Sequence, residues 1–219
     1  DNEAKISKLG IGNIEKVEGW LSKEEGILLY NLAKACEKGC IVEIGSWKGK
    51  STIYLAKGAA QKVYAIDPHK GFDGDEFTGK NTFQEFSANI KEFNLTDKII
   101  PIVNYSVNAS KDFNKEIGLI FIDGSHMYKD VKEDFEAWFE KVIDGGMVAM
   151  HDTIMKHGTR TVANEYIYKS HHFKNIRLVG SITYATKVEN NSYMDRLKNK
   201  LLLLKKTVKH HVLKRYMSN

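Results

Sequence analysis

Val42-Glu43-Ile44-Gly45-Ser46-Trp47-Lys48-Gly49-Lys50-Ser51-Thr52 is an apolar run that breaks at a glycine turn and passes into a helical pattern. A turn of this kind brings backbone N–H groups close to a ligand at the start of the following helix. Outward from it, short β-rich apolar runs alternate with longer amphipathic ones. Strands are expected at 40–44, 62–66, 99–103, 119–122, after Gly145-Gly146 through Met150, at 176–179 and at 182–187. Helices are expected at 22–38, 50–60, 82–93, 127–142 and about 159–169, the first with Ser22 as N-cap and Glu25 completing a capping box. Strands apolar throughout must be covered on both faces, which calls for a parallel sheet between helix layers. With right-handed crossovers the order gives a doubly wound α/β sandwich on a mostly parallel, seven-stranded sheet. The last two strands meet at Gly180-Ser181 and form an antiparallel hairpin at one edge. Ligands of such sheets bind outside the carboxyl ends of the strands, where Glu43, Asp67, Ser106, Asp123, His151 and Asp152 stand.

Three ligand classes use a glycine turn of this kind. A dinucleotide needs a second glycine where the pyrophosphate approaches, and Trp47 holds that slot. A phosphate loop shares the Gly49-Lys50-Ser51 ending, and Leu119 to Asp123 resembles the strand and Asp that hold Mg²⁺ in NTPases. Its first glycine would have to sit at position 44, which is Ile, and Glu43 would aim a carboxylate at the phosphates. S-adenosylmethionine carries a sulfonium and an ammonium, so an acid at the strand end favours it. Asp67, ending the next strand, is suited to accept both ribose hydroxyls. The plainer reading of Glu43 and Asp67 as helix caps fits each alone, but fits poorly the two together.

Val42 to Gly45, Gly49 to Thr52, Tyr64 to Asp67, Phe121-Ile-Asp123-Gly-Ser-His126 and Gly145-Gly146 to His151-Asp152 together resemble the class I, Rossmann-like methyltransferases. Within them the chain is most similar to the branch of catechol O-methyltransferase, and especially to bacterial sugar and antibiotic O-methyltransferases and cephalosporin-hydroxylase-like proteins. Gly19-Trp20-Leu21-Ser22 adds to the likeness, which runs from about residue 19 to 187. The resemblance implies methyl transfer to a small-molecule hydroxyl, with Glu43, Gly45, Ser46, Trp47, Gly49, Ser51, Thr52, Asp67, Ser106 and Asp123 around the cofactor.

The resemblance also implies a divalent cation, Mg²⁺ or Mn²⁺, on Asp123 and Asp152, whose hard oxygens suit such ions. The third ligand is expected from His151 or, less suitably, Thr153. His126, three residues after Asp123, occupies the slot of the catalytic base, and imidazole can take a proton at neutral pH. Capping of the next helix is the plainer role for His126. His69 is expected to be solvated or to face the adenine; Trp20, Phe72 and Tyr128 are candidates to stack on a ligand. Residues 70–81 and 154–161 are expected to form the lid that selects the acceptor. A metal-independent methyltransferase, a small NTPase and a non-catalytic cofactor-binding protein are the competing readings.

The chain has 219 residues and a net charge of +5, but the excess is local. Between Asp195 and Arg215 eight Lys and Arg face one Asp, so a basic tail sets the charge. Leu197, Leu201, Leu204, Val208 and Val212 recur in it at helical spacing, which suits a membrane-surface helix, a contact with a second subunit, or docking on the chain's own domain. The division expected is a methyltransferase domain over 1–190 and a basic amphipathic helix over 191–219. No aromatic interleaving supports specific nucleic-acid binding. Two cysteines, Cys36 and Cys40, lack a second pair for zinc and fit reduced thiols. With Asp1-Asn2-Glu3 unlike a secretory leader, the expected location is the cytoplasm, peripheral to a membrane if the tail binds one.

Overall fold

A computed structural model describes residues 13–71 and 79–217. Seven strands form one sheet: β1 Cys40–Ile44, β2 Val63–Ile66, β3 Ile99–Ile102, β4 Ile117–Ile122, β5 Val142–Met150, β6 Phe173–Val179 and β7 Ile182–Lys187. Their spatial order is β3-β2-β1-β4-β5-β7-β6, with β1 to β5 parallel. Only β7 runs in reverse, pairing antiparallel with β5 on one side and β6 on the other. The hairpin expected at the edge is present, with its second strand inserted inboard of its first.

The helices are α1 Lys23–Ala35, α2 Lys50–Gly58, α3 Phe83–Glu92, α4 Ser106–Asp112, α5 Tyr128–Phe139, α6 His157–Val162 and α7 Tyr193–Met217. Strand alternation sends Ile41, Leu119 and Phe121 to one core with Leu29, Ile53, Leu55 and Phe86. It sends Val42, Ile44, Ile120 and Ile122 to the other, with Phe135, Trp138, Ile167 and Phe173. Both faces of the central strands are therefore covered, as their unbroken apolar character requires.

Three boundaries differ from the sequence reading. The helix expected over 127–142 ends at Phe139, and Val142 already belongs to β5. Ile117 pairs with Val142 but Leu119 with Met147, so β5 carries extra residues against β4. Gly145, at φ +83°, turns within that bulge, which is why the glycine pair lies inside the strand instead of before it. The helix expected at 159–169 is α6 continued by a π-helical turn, Ala163–Tyr168. α4 was absent from the expected list, since seven residues are too short for a helical period to stand out.

Candidate active site

The carboxyl edge of the sheet is pinned by backbone bonds that prolong each ladder by one residue. Gly45 N–H donates to Ile66 O at 2.9 Å, Asp67 to Ile102 O at 3.2 Å, Asp123 to Ile44 O at 2.8 Å and His151 to Ile122 O at 3.0 Å. Four strand-end residues are thus placed before their side chains make any contact. Gly45 sits at φ +87°, and a Cβ there would lie 2.1 Å from the Asp123 carbonyl oxygen. Glycine is required at that crossing between β1 and β4.

Around this turn the cofactor-side residues assemble. Gly49, left-handed at φ +89°, is the N-cap of α2, and its N–H returns to Ser46 O at 2.7 Å. Glu43 is fully buried on the face of β1 under α2, where the Thr52 hydroxyl donates to its Oε2 and Ser51 also bonds it. Burial pushes the Glu43 carboxyl up to about 8, against the pull of those two hydroxyls. Asp67 accepts the Trp47 N–H at 2.8 Å on Oδ2 and the His69 N–H at 2.6 Å on Oδ1. Two backbone donors therefore fix the plane of its carboxylate and leave further lone pairs to accept.

The lysine of the Gly-Lys-Ser motif decides against a phosphate loop. Lys50 is nearly buried, and its Nζ reaches Glu15 Oε2 at 3.3 Å, away from the loop. Lys48 is held by Glu18 at 2.7 Å and Glu85 at 2.5 Å. Meanwhile Glu43 Oε1 and Ser46 Oγ are buried with no hydrogen-bond partner among the described residues. Unpaired buried acceptors beneath a glycine turn fit a ligand that brings donors and positive charge. They do not fit a polyanion.

Two expectations change on this side. His69 is 2% exposed, with Nδ1 on the Thr82 hydroxyl at 2.9 Å and Phe83 and Phe86 against its ring. Burial pushes its pKa below the usual imidazole value, so it is a core histidine and not a solvated one. Ser106 opens α4 and accepts the Trp138 indole N–H at 2.8 Å, an internal bond. Trp20 stacks on Trp47 at 4.4 Å. Phe72 and residues 72–78 of the expected lid lie outside the described residues.

On the β4–β5 side, ligand atoms of Asp123, His126 and Asp152 lie within 4.8 Å of one another. His126 Nε2 stands 3.0 Å from Asp152 Oδ2. Asp152 adopts φ +54°, a left-handed turn that Asp tolerates and that bends the chain immediately beyond β5. Burial works to raise its pKa, but the His126 bond and the His151 charge hold it below the usual carboxylate range.

His151 is turned inward, among three carboxylates. Its Nδ1 lies 3.0 Å from Asp123 Oδ1 and its Nε2 lies 3.5 Å from Glu25 Oε1. Burial opposes a charge on this ring, but Asp123, Glu25 and Asp152 outweigh it and push its pKa up to about 11. Held between these carboxylates, His151 braces Asp123. Thr153 is turned away as well, donating to Ser181 O at 2.8 Å and sharing a 2.7 Å bond with Thr183 Oγ1. Both imidazoles reach the two aspartates: His151 Nδ1 also lies 3.7 Å from Asp152 Oδ2, on the buried side, and His126 meets them from the exposed side.

Glu25 is the residue the sequence reading undervalued. Its capping box with Ser22 is present, but Oε1 also accepts the Ser181 N–H at 2.7 Å and hydroxyl at 2.8 Å. Gly180 permits that approach, since a Cβ there would meet Glu25 at 2.5 Å. Burial would raise the Glu25 pKa, but bonds from His151, Ser181 and Ser22 hold it well below the carboxylate range. α1, the β6–β7 turn and the Asp123 side of the crevice are thus joined through one buried carboxylate. Only the capping box was visible in sequence.

This sheet order, with an acidic glycine turn after β1 and an acid after β2, is the class I, S-adenosylmethionine-dependent methyltransferase fold. The profile of a methyltransferase-domain family matches residues 42–153, just over half of the chain, and the chain belongs to that family. A curated relative, uncharacterized protein R132 of Acanthamoeba polyphaga mimivirus, is 31% identical over 133 residues, 57% of either chain. Protein y4gI of Sinorhizobium fredii is 27% identical over 125 residues, 54% of this chain and 14% of its own. The chain therefore spans about half the length of the first relative and far less of the second. Among solved structures, the O-methyltransferase from Bacillus cereus in complex with SAH superimposes with a TM-score of 0.61 at 19% identity, covering 84% of this chain and 90% of that one. The O-methyltransferase TomG from Streptomyces achromogenes, in complex with SAM, gives 0.61 at 18%, covering 84% and 89%.

Proposed function

We propose that this domain transfers the methyl group of S-adenosylmethionine to a hydroxyl oxygen of a small molecule such as a sugar, natural product or phenol, with a divalent cation assisting. The observation that carries the reading is the convergence of Asp123, His126 and Asp152 within 4.8 Å, one strand away from the Glu43–Thr52 turn. The O-methyltransferase activity named for the structural neighbours supports the same reaction class.

When bound, the cofactor supplies a methyl group on a positively charged sulfur, and a cation (Mg²⁺ or Mn²⁺) lowers the proton affinity of a nearby hydroxyl. Asp67 would accept the ribose hydroxyls, and Glu43, buried beneath the turn, holds Ser51 and Thr52 in place. Asp123 and Asp152 would hold the cation, with His151 and Glu25 bracing Asp123 from behind. His126 Nε2 takes the acceptor's hydroxyl proton, and Asp152 orients the ring and stabilises its charged form. The cofactor would supply the methyl group to the acceptor oxygen, leaving as its neutral thioether, and the proton would leave on His126. The chain's contribution is mostly alignment, because the leaving sulfur is already activated.

A second role for His126 has its own observation: its nitrogen is close enough to both aspartates to be the third donor. His126→Gln separates the two. As base, the variant keeps Mn²⁺ binding by calorimetry and loses methyl transfer; as ligand, it loses Mn²⁺ binding first. Thermal-shift titration with S-adenosylmethionine, its demethylated product, ATP and NAD, each with and without Mg²⁺, tests the whole reading. Stabilisation by the two adenosyl sulfur compounds is expected. Stabilisation by neither of them overturns it.

A further inference from the structure

α7 docks on the domain with one face only. Leu202 and Leu203 pack on the second core, Asn199 Nδ2 donates to Phe173 O at 3.0 Å, and Lys206 Nζ donates to Asn164 Oδ1 at 2.8 Å. At 3.6 residues per turn the opposite face is Leu197, Leu201, Leu204, Val208 and Val212. These five are 43% to 63% exposed, a continuous apolar stripe turned away from the domain. Exposed cations border it on both sides, Lys198, Lys205 and Lys209 along one, Lys200 and Lys214 along the other. The helix's one acid, Asp195, is occupied by the Ser192 N–H and hydroxyl at its N-terminus.

We propose that α7 lies on an anionic phospholipid surface, the stripe at the boundary of headgroups and acyl chains and the lysines among the phosphates. Charge complementarity selects this occupant. A second copy would set lysine rows against lysine rows with no acid to pair them. A nucleic acid would satisfy the lysines but leave the stripe in water. Among the described residues no helix is long and apolar enough to cross a membrane, so the contact is one of lying on the surface.

The position of α7 gives the contact a consequence. Lys209 Nζ donates to Gly180 O at 3.3 Å, and His210 meets Arg160, which in turn donates to Ile154 O at 3.1 Å. The far half of the helix therefore passes beside the turn that holds Ser181 and the loop after Asp152, at the mouth of the crevice. On the methyltransferase reading, on which this clause rests, the acceptor is an amphipathic hydroxyl compound presented at that surface.

The test is flotation of the full chain with phosphatidylcholine vesicles and with vesicles that also contain phosphatidylglycerol. The chain is expected to float only with phosphatidylglycerol, and less at high salt. Leu204→Glu with Val208→Glu, and separately Lys198→Glu with Lys205→Glu, should each cut the bound fraction about tenfold. Each variant should keep the thermal shift with S-adenosylmethionine. No flotation of the native chain, or flotation unaltered by both variant pairs, overturns the proposal. So does a dimer by light scattering that the leucine–valine variant dissolves, or oligonucleotide binding in place of vesicle binding. Flotation without any response to S-adenosylmethionine would sink the methyltransferase reading and leave this one standing.

Discussion

The two halves of the crevice are held by different means. On the β1–β2 half, Glu43 and Asp67 are fixed by neighbours in the same βαβ unit: the Thr52 hydroxyl and the N–H groups of Trp47 and His69. On the β4–β5 half, Asp123, His126 and Asp152 come from two strand ends, and their brace, His151, depends on Glu25 from α1. The first half is buried, with the Asp67 side chain 14% exposed; the second opens outward, with His126 at 43%. A cofactor with one fixed shape suits a site built locally and closed. A site assembled from distant segments and left open suits an acceptor chosen by the surrounding loops.

Breaking the open half should silence the chemistry and spare the cofactor. Asp152→Asn, which tolerates the same left-handed backbone, is expected to lower kcat about 10²–10⁴-fold with the S-adenosylmethionine dissociation constant unchanged in calorimetry. A parallel loss of cofactor affinity would merge the two halves. Gly45→Ala attacks the seam between them, because the new Cβ meets the Asp123 carbonyl. Its cost should exceed about 3 kcal/mol in denaturant unfolding, with cofactor and cation binding both lost.

Glu25→Gln sharpens the contrast by acting from a distance. It removes a buried charge from His151, so a stability loss of about 2–3 kcal/mol is expected, with a lower kcat and an unchanged cofactor affinity. Restoration of kcat by Glu25→Asp would favour positioning over simple packing. A further effect belongs to the closed half and is read in pH. The folded Glu43 carboxyl, at about 8, holds its proton more tightly than in the unfolded chain, where the usual value is 4.5. That stability is complete below pH 4.5 and is lost as pH rises through 8. Unfolding without cofactor should show stability falling as pH rises across this window, and Glu43→Gln should flatten the fall. A slope unaltered in Glu43→Gln would locate the titration elsewhere.

The closed half was legible because its signal is contiguous. An apolar strand, a glycine turn, a helix and a second strand ending in Asp occupy one stretch, and each residue type answers a local need. The open half was legible only as a set of positions at strand ends. Which side of the aspartates each imidazole occupies was not legible, since His126 and His151 flank the same strands and differ only in direction. Thr153 was misassigned for the same reason: its hydroxyl turns to Ser181 and Thr183 of the reversed strand. His69 looked like a loop residue until Phe83 and Phe86 closed over it.

By itself the sequence determined the alternation of strands and helices, the parallel sheet that buried strands demand, and the acid-and-glycine turn after β1. These follow from periodicity and backbone freedom, which act over a few neighbouring residues. Tertiary structure alone decided that Lys50 serves Glu15, that Glu25 reaches across to His151 and Ser181, and that the leucine stripe of α7 faces outward. Each of those is a meeting of side chains far apart in the chain, and spacing along a sequence carries no direction in space.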